Sequence, residues 1–269
     1  MGCCAERRVI TAEDRLICYE EALGFKGLTA LQINQLSRKF SKDSKICLEQ
    51  FLVMSKELKI KNNSLASEFL FLFFDEEKKE FDSQVLTTLG ILLASGELKE
   101  KVELLFKNYD INFEGSLNTS EARLMVNNIL YIAIDKMCEY TYKKTPDTEK
   151  YLISEYMSEL VKSKSLISYV YINNLIGNFI AIGQSEFIQT FFENENEALL
   201  NLHKIRTIGR MAARNMVKLS KQVNKVIEDN LKNNKSLARQ LSIEISGNGR
   251  KKDLKRFKST SDVGEYFNS

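Results

Sequence analysis

The segment Asp110–Glu121 carries oxygen-bearing side chains at a spacing that suits a hard divalent cation. With Asp110 as position 1, the donors at positions 1, 3, 5, 9 and 12 are Asp110, Asn112, Glu114, Asn118 and Glu121. Ca²⁺ takes roughly six to eight oxygen ligands, so a short loop must turn every second side chain inward. Gly115 at position 6 allows a sharp turn, and Ser116 at position 7 offers its backbone carbonyl. The spacing therefore predicts one Ca²⁺ site, which Mg²⁺ could also occupy.

The sequences on both sides of this segment have the apolar periodicity of helices. The apolar face comprises Leu98, Val102, Leu105, Phe106 and Tyr109 before the loop and Leu124, Met125, Ile129 and Ile132 after it. A helix, a twelve-residue loop with these donors and a second helix form the EF-hand pattern. A turn rich in Asx residues between two helices is the alternative, and the ordered matches along the loop argue against it.

Three other segments keep the helices of this pattern but not the ligands. The loop at 41–46 is about two residues short and has Gln50 where the closing Glu belongs. The acidic segment 75–81 has no glycine at the turn and Val85 at the closing position. We expect a fourth unit around 162–171, with Ile167 as its strand residue and Tyr171 at the closing site. None of the three is expected to bind Ca²⁺.

The repeat of four such units resembles the neuronal calcium sensor and calcineurin B-like branch of EF-hand proteins. The resemblance extends over roughly residues 15–185 and is closest in Leu65–Met137, from Phe74-Asp75 through the run Leu93–Phe106. It implies an all-α fold with the units in two pairs, each joined by a short two-stranded β contact. It also implies an apolar groove that receives a partner helix. The family usually keeps two or three working loops, whereas this sequence keeps one.

The first residues, Met1-Gly2-Cys3-Cys4, favour lipid attachment. Removal of Met1 exposes Gly2 for myristoylation, and Cys3 and Cys4 are then candidates for palmitoylation. A second lipid matters because one myristoyl chain gives only marginal membrane binding. Glu6 departs from the Ser or Thr usual at its position, and an arbitrary start with idle cysteines is the alternative. Without a signal peptide or a sufficiently long apolar run, we expect a cytoplasmic, peripheral membrane protein.

An acidic part precedes a basic one along the chain. Residues 203–269 contain 16 Lys/Arg against 6 Asp/Glu, and residues 1–202 contain 23 against 30. Around Ile205–Val226 the pattern predicts an amphipathic helix whose Ile205, Ala212, Leu219 and Val226 stripe packs on the body. Its outward basic face is expected to contain Lys204, Arg206, Arg210, Arg214, Lys218 and Lys221. Filling the protein's own groove, or lying on an acidic partner or a membrane, are the alternatives.

The chain thus divides into five predicted segments. They are a lipidation-type start (1–12), a pair of degenerate EF-hands (13–96), a pair with one intact loop (97–184), a basic amphipathic helical extension (185–245) and a disordered basic tail (246–269). No catalytic pattern occurs, since His203 is the only histidine and no phosphate-binding glycine loop is present. We expect a Ca²⁺-binding, membrane-anchored sensor or adaptor that regulates a protein partner through the groove, not an enzyme. A structural EF-hand scaffold is the alternative, and the tail lacks the interleaved aromatics of a nucleic-acid binder.

Overall fold

The chain is described here by a computed structural model, which places residues 10–59, 64–177, 179–193, 196–216 and 218. It is mostly helical with two small antiparallel sheets, in agreement with the predicted helical class. All of the described residues except Lys218 belong to one compact unit that ends at Met216. None of the described helices combines the length and the apolarity that crossing a bilayer requires.

The described residues of the N-terminal half form five α-helices and three short strands. Helices α1 and α2 begin at capping boxes, in which Thr11 pairs with Asp14 and Thr29 with Gln32. The elements are α1 (Ala12–Ala22), a 3₁₀ turn (Phe25–Gly27), α2 (Ala30–Phe40), β1 (Lys45–Cys47), α3 (Leu48–Glu57), α4 (Ser64–Phe71), β2 (Phe74–Asp75), β3 (Glu80–Asp82) and α5 (Ser83–Leu93).

The C-terminal half repeats the alternation of helix, strand and helix. Its elements are α6 (Leu98–Tyr109), β4 (Ser116–Asn118), α7 (Thr119–Leu130), a π-helical segment (Tyr131–Lys136), α8 (Met137–Lys144), a 3₁₀ turn (Asp147–Glu149), α9 (Lys150–Ile176), β5 (Ala181–Gly183), α10 (Gln184–Glu193) and a 3₁₀ turn (Asn196–Leu200). A last helix, which we call α11, covers residues 202–216.

Two small sheets join the loops in pairs. In the first, Ile46 of β1 lies opposite Phe81 of β3, and β2 adds a third strand on the other side of β3. In the second, Leu117 of β4 lies opposite Ile182 of β5. All four of these residues are buried, so each ladder also contributes apolar side chains to the core. The predicted two-stranded contact is found in the second sheet, whereas the first has three strands.

The predicted position of the fourth unit is wrong. Ile167 and Tyr171 lie inside the 27-residue helix α9, and the strand residue is Ile182 in β5. The polar run 162–165 suggested a loop because its residues are hydrophilic. In the structure the run stays helical, and the buried Ser163 hydroxyl is satisfied by donating to the Leu160 carbonyl oxygen (2.9 Å). The fourth loop lies instead between the end of α9 and β5, close to Gly177, whose φ is +57°.

Candidate functional site

The segment Asp110–Glu121 comprises the loop between α6 and α7 and the first turn of α7. Helix α6 ends at Tyr109, so Asp110 stands at the end of a helix whose apolar face is buried. β4 fixes the second half of the loop, because Leu117 is wholly buried and pairs with Ile182. Gly115 has φ +71°, a left-handed conformation that glycine adopts without a steric penalty. The backbone therefore makes the sharp turn that the sequence pattern requires at position 6.

Within the loop, the first donor organises the turn. Asp110 Oδ1 accepts the Glu114 N–H (3.0 Å), and its Oδ2 accepts the Gly115 N–H (3.1 Å). Asn112 Oδ1 also accepts the Glu114 N–H, at 3.3 Å. The oxygens of positions 1 and 3 thus face the concave side of the turn, where the backbone N–H groups hold them in place.

The closing donor begins the next helix. Glu121 Oε2 accepts the Asn118 N–H (2.9 Å), and Asn118 Oδ1 accepts the N–H groups of Ser120 (2.8 Å) and Glu121 (3.0 Å). This capping box starts α7 at Thr119 and leaves Glu121 largely buried. To bind Ca²⁺ with two oxygens, the Glu121 carboxylate would turn from the Asn118 N–H toward the ion.

The donor set of the loop fits Ca²⁺ in type and order. Asp110, Glu114 and Glu121 are carboxylates, Asn112 and Asn118 are amides, and Ser116 contributes a carbonyl, all of them hard oxygen ligands. Among the described residues, no three His, Cys, Asp or Glu side chains are already gathered as a metal-binding cluster. The loop would therefore have to complete its ligand shell on binding.

In the other loops, polar side chains make hydrogen bonds and ion pairs within the protein. In the first, Gln50 Oε1 caps the Cys47 N–H at 3.0 Å. In the second, hydrogen bonds from the Lys78 backbone lower the pKa of Asp75, and Lys78 Nζ lies 3.4 Å from its carboxylate. In the fourth, the residue four positions after Ile182 is Glu186, which accepts the Gly183 N–H at 3.3 Å. The last arrangement matches that of Leu117 and Glu121.

The basic residues of α11 do not form one solvent-exposed face. Lys204, Arg214 and Lys218 are exposed, as expected, whereas Lys221 lies outside the described residues. Arg210 is half-buried; it donates to Glu159 Oε2 (3.0 Å) and lies over the Tyr156 ring. The prediction that Arg206 points outward is wrong, because its side chain is fully buried. The lipidation candidates Gly2, Cys3 and Cys4 lie outside the described residues.

Arg206 is the centre of a buried cluster that joins α11 to α1. Its Nη2 lies 2.6 Å from Glu13 Oε1, and its Nη1 lies 2.5 Å from Glu20 Oε1. Glu13 also accepts the Tyr156 hydroxyl, and its Oε1 is 2.7 Å from His203 Nδ1. Two carboxylates thus surround one guanidinium, which compensates for the loss of water around a buried charge.

The cluster also contacts the π-helical segment. Arg206 Nη1 donates to the Ala133 carbonyl oxygen at 3.4 Å. A π-helical turn widens the backbone ladder, and such turns are frequent at functional sites. One turn further along α11, Gly209 packs on α9, since a Cβ there would lie 2.9 Å from Leu160 Cδ2 and 3.1 Å from Ile167 Cδ1. The absence of a side chain at 209 allows α11 to approach α9 closely.

The two carboxyls of the cluster have pKa shifts of opposite sign. Burial raises the pKa of Glu13, but hydrogen bonds and charge from Arg206 outweigh that effect and hold it below its ordinary value. Burial also raises the pKa of Glu20, and here Arg206 offsets it only in part, so the pKa stays above its ordinary value. Ionised Glu13 is therefore the preferred partner of the guanidinium.

These shifts predict a pH dependence for the variant Glu20→Gln. The pKa of Glu20 is raised on folding, so the folded protein takes up this proton at a higher pH than the unfolded chain does. The contribution of Glu20 to stability therefore increases as the pH falls from 7 toward 4.5, the ordinary pKa of a glutamate. Glu13, with a lowered pKa, loses its contribution only below 4.5. We expect the melting temperature of wild type, relative to that of Glu20→Gln, to rise as the pH is lowered from 7 to 4.5. Thermal unfolding of both proteins across this range checks it, and a difference that is independent of pH would contradict it.

The carboxylates and the phenol of this cluster, Glu13, Glu20 and Tyr156, are not among the residues that the sequence predicted to be functional. Glu13 and Glu20 stand seven residues apart, which places them on one face of α1 beside the buried Leu16. Two acidic residues on the core-facing side of one helix predict that a basic side chain packs against them. Their partner Arg206 is 193 residues from Glu13 and 186 from Glu20 in the sequence, so no local pattern identifies it.

Comparison with models of known protein families and with curated protein sequences finds no significant match for this chain. Its function must therefore be argued from the loop and the cluster.

Proposed function

We propose that the protein is a Ca²⁺-binding EF-hand sensor or adaptor that regulates a protein partner. The observation that carries the proposal is the loop Asp110–Glu121, where hard oxygen donors in EF-hand order lie on a glycine-dependent turn between two packed helices. The paired loops support it, because EF-hand loops usually occur in pairs joined across their strand residues. Here Ile46 pairs with Phe81 and Leu117 with Ile182.

The proposed sensor couples the loop to the rest of the protein through α7. Glu121 lies in the first turn of α7, and the π-helical segment that contains Ala133 follows this helix without a break. A rotation of Glu121 toward Ca²⁺ would remove its hydrogen bond to the Asn118 N–H and tilt the start of α7. Further along the same helical run, the Ala133 carbonyl oxygen contacts Arg206, so in this proposal α7 links the ion to the packing of α11.

We further propose that α11 occupies the place of a partner helix while the loop is free of Ca²⁺. Leu202, Ile205 and Ala213 are buried on the body, and the contact of Gly209 with α9 is close. An amphipathic helix in an apolar groove is a common mode of peptide recognition. In this proposal, Ca²⁺ binding loosens α11 and makes the groove accessible to the partner.

A structural scaffold is the second candidate. The second loop favours it, since Lys78 and Lys79 form ion pairs with Asp75 and Glu76. The buried cluster favours it as well, because it fixes α11 to α1. The two functions differ in whether Ca²⁺ changes the conformation of the protein.

Calorimetric titration with Ca²⁺ in the presence of Mg²⁺ tests the proposed function. The sensor requires one Ca²⁺ per chain and a change in hydrogen exchange along α7 and α11 on binding. One bound ion without a change in exchange supports the scaffold. No bound ion would overturn the proposal.

Membrane anchoring by acylation gives a further prediction. We expect wild type expressed in eukaryotic cells to sediment with membranes and Gly2→Ala to stay in the supernatant, because myristoylation needs an N-terminal glycine. The intact mass of the purified protein shows directly whether the lipids are attached. An unmodified N-terminus on the membrane-bound protein would contradict acylation as the anchor.

A further inference from the structure

The loops of the second sheet expose large apolar side chains. Phe113 is 82% exposed, and Phe179 and Ile180 are 67% and 90% exposed; Ile111 is half exposed. Phe113 belongs to the loop before β4, and the other pair belongs to the loop before β5. The two strands are antiparallel and three residues long, so the loop tips lie on either side of a ladder of about 10 Å. We call these four residues the apolar tips.

The apolar tips are not needed for the core. The ladder residues Leu117 and Ile182 are buried and pack in the core, whereas the apolar tips are exposed and do not. Phe113 also has φ +58°, a backbone conformation that is unfavourable for a residue with a large side chain. Large apolar groups that project into water at two neighbouring loops mark a binding surface.

A cleft of about 460 Å³ with a mixed polar and apolar lining lies between α7 and α9, beside the same loops. Thr119 and Gly177 line it near the loops, and Arg123 lies about one helical turn further along α7. Lys164, deeper in the cleft, is paired with Asp135. Arg123 is exposed and makes no ion pair with any of the residues that the structure describes. The cleft therefore offers a guanidinium to an anion near the apolar tips.

From this arrangement we propose that the paired-loop end of the protein docks on a phospholipid bilayer. Phe113, Phe179 and Ile180 enter the boundary between headgroups and acyl chains, and Arg123 binds a lipid phosphate. Arg123 lies about 6 Å along the axis from the start of α7, within the roughly 5–10 Å depth to which interfacial apolar groups are buried. In the proposed docking, the apolar tips occupy the acyl boundary and the guanidinium occupies the headgroup layer.

A bilayer suits this surface better than a protein does. The four apolar side chains offer roughly 500 Å² at most, whereas a standard protein interface buries about 800 Å² on each partner. The side chains also project from separate loop tips, so a protein partner would need a matching pocket for each. A fluid bilayer accommodates both tips without preformed pockets.

Calcium should strengthen the docking. Asp110, Glu114 and Glu121 lie in the same loop as Phe113, and their negative charge repels anionic lipids. A bound Ca²⁺ offsets two of these charges. This dependence on calcium rests on the proposed function, whereas the insertion of the apolar tips does not.

Tryptophan fluorescence tests the proposal, because the chain contains no tryptophan. The single variants Phe113→Trp and Phe179→Trp, made as full-length unacylated protein, are mixed with vesicles of phosphatidylcholine and phosphatidylserine with or without Ca²⁺. We expect the emission of both to shift to shorter wavelength and to be quenched by lipids brominated in the acyl chain. Tyr151→Trp is the matched control, since Tyr151 is 64% exposed at the opposite end of α9. It should show neither effect.

The double variant Phe113→Ser/Phe179→Ser gives an independent measure. We expect it to keep its melting temperature, because both side chains are exposed, and to lose vesicle affinity by about tenfold or more. If the protein binds vesicles while positions 113 and 179 show no shift, another segment makes the contact and the proposal is wrong. Absence of vesicle binding with Ca²⁺ present would also overturn it. Calorimetry of the same samples reports Ca²⁺ binding separately, so failure of the docking and failure of the proposed function are distinguishable.

Discussion

Replacement of Arg206 by alanine is expected to lower the free energy of unfolding by about 3–5 kcal/mol. The substitution leaves Glu13 and Glu20 buried without their cation, and it removes the hydrogen bond to the Ala133 carbonyl oxygen. In a protein of this size the melting temperature should fall by roughly 10 °C. Denaturant and thermal unfolding measure the effect. Arg214→Ala is the matched control, since Arg214 is exposed on the same helix and its loss should change stability little.

A variant in which the whole cluster is uncharged distinguishes the cost of leaving a charge unpaired from the stabilisation that the ion pairs provide. Removing one member of a buried ion pair is costly, whereas replacing the whole set with neutral groups often is not. We therefore expect the triple variant Glu13→Gln/Glu20→Gln/Arg206→Met to recover most of the stability that Arg206→Ala loses. If the triple variant is as unstable as the single one, the cluster stabilises the protein by its geometry and not by balancing charge.

Loss of Ca²⁺ binding is the expected result for Glu121→Gln. The substitution removes one negative charge and the paired oxygens of position 12, so affinity should fall by about 100-fold or more. The amide oxygen of glutamine can still accept the Asn118 N–H, so α7 keeps its cap and the fold in the absence of Ca²⁺ should be unchanged. Calorimetric titration and thermal unfolding of the same protein measure the two expectations.

Glu186→Gln is the control for this experiment. Glu186 occupies the corresponding place in the fourth unit, four residues after the strand residue Ile182, but its loop contains no set of oxygen donors. The Glu186→Gln protein should bind one Ca²⁺ with the affinity of wild type. Retained binding in Glu121→Gln, or a second ion lost in Glu186→Gln, would show that the single-site assignment is wrong.

The sequence predicted local features well because they depend on local chemistry. The loop between α6 and α7, the strand residue Ile46 and the short first loop each follow from residue types within about a dozen positions. The fourth unit was misplaced because hydrophilic residues at 162–165 interrupt the apolar pattern of α9 without interrupting the helix. Gly177, together with an apolar residue at 182 and a Glu at 186, was the better signal for that loop.

Arg206 shows why the rest could not be predicted. On a helical wheel it belongs to the basic face of α11, and an arginine on such a face is ordinarily solvated. Its burial depends on Glu13 and Glu20, which lie far away in the sequence on α1. These contacts are tertiary, so the helical periodicity of α11 alone predicted the wrong orientation for the Arg206 side chain.

The tie between α1 and α11 also determines when the protein can finish folding. A ribosome synthesises Glu13 193 residues before Arg206, so the cluster cannot form until nearly all of the described chain has been made. The loop it closes is among the longest possible in this chain, although the entropic cost grows only with the logarithm of its length. During translation, Glu13 and Glu20 cannot pair with Arg206 until it has been synthesised. The nascent protein therefore reaches its final packing only after the helix 202–216 has left the ribosome.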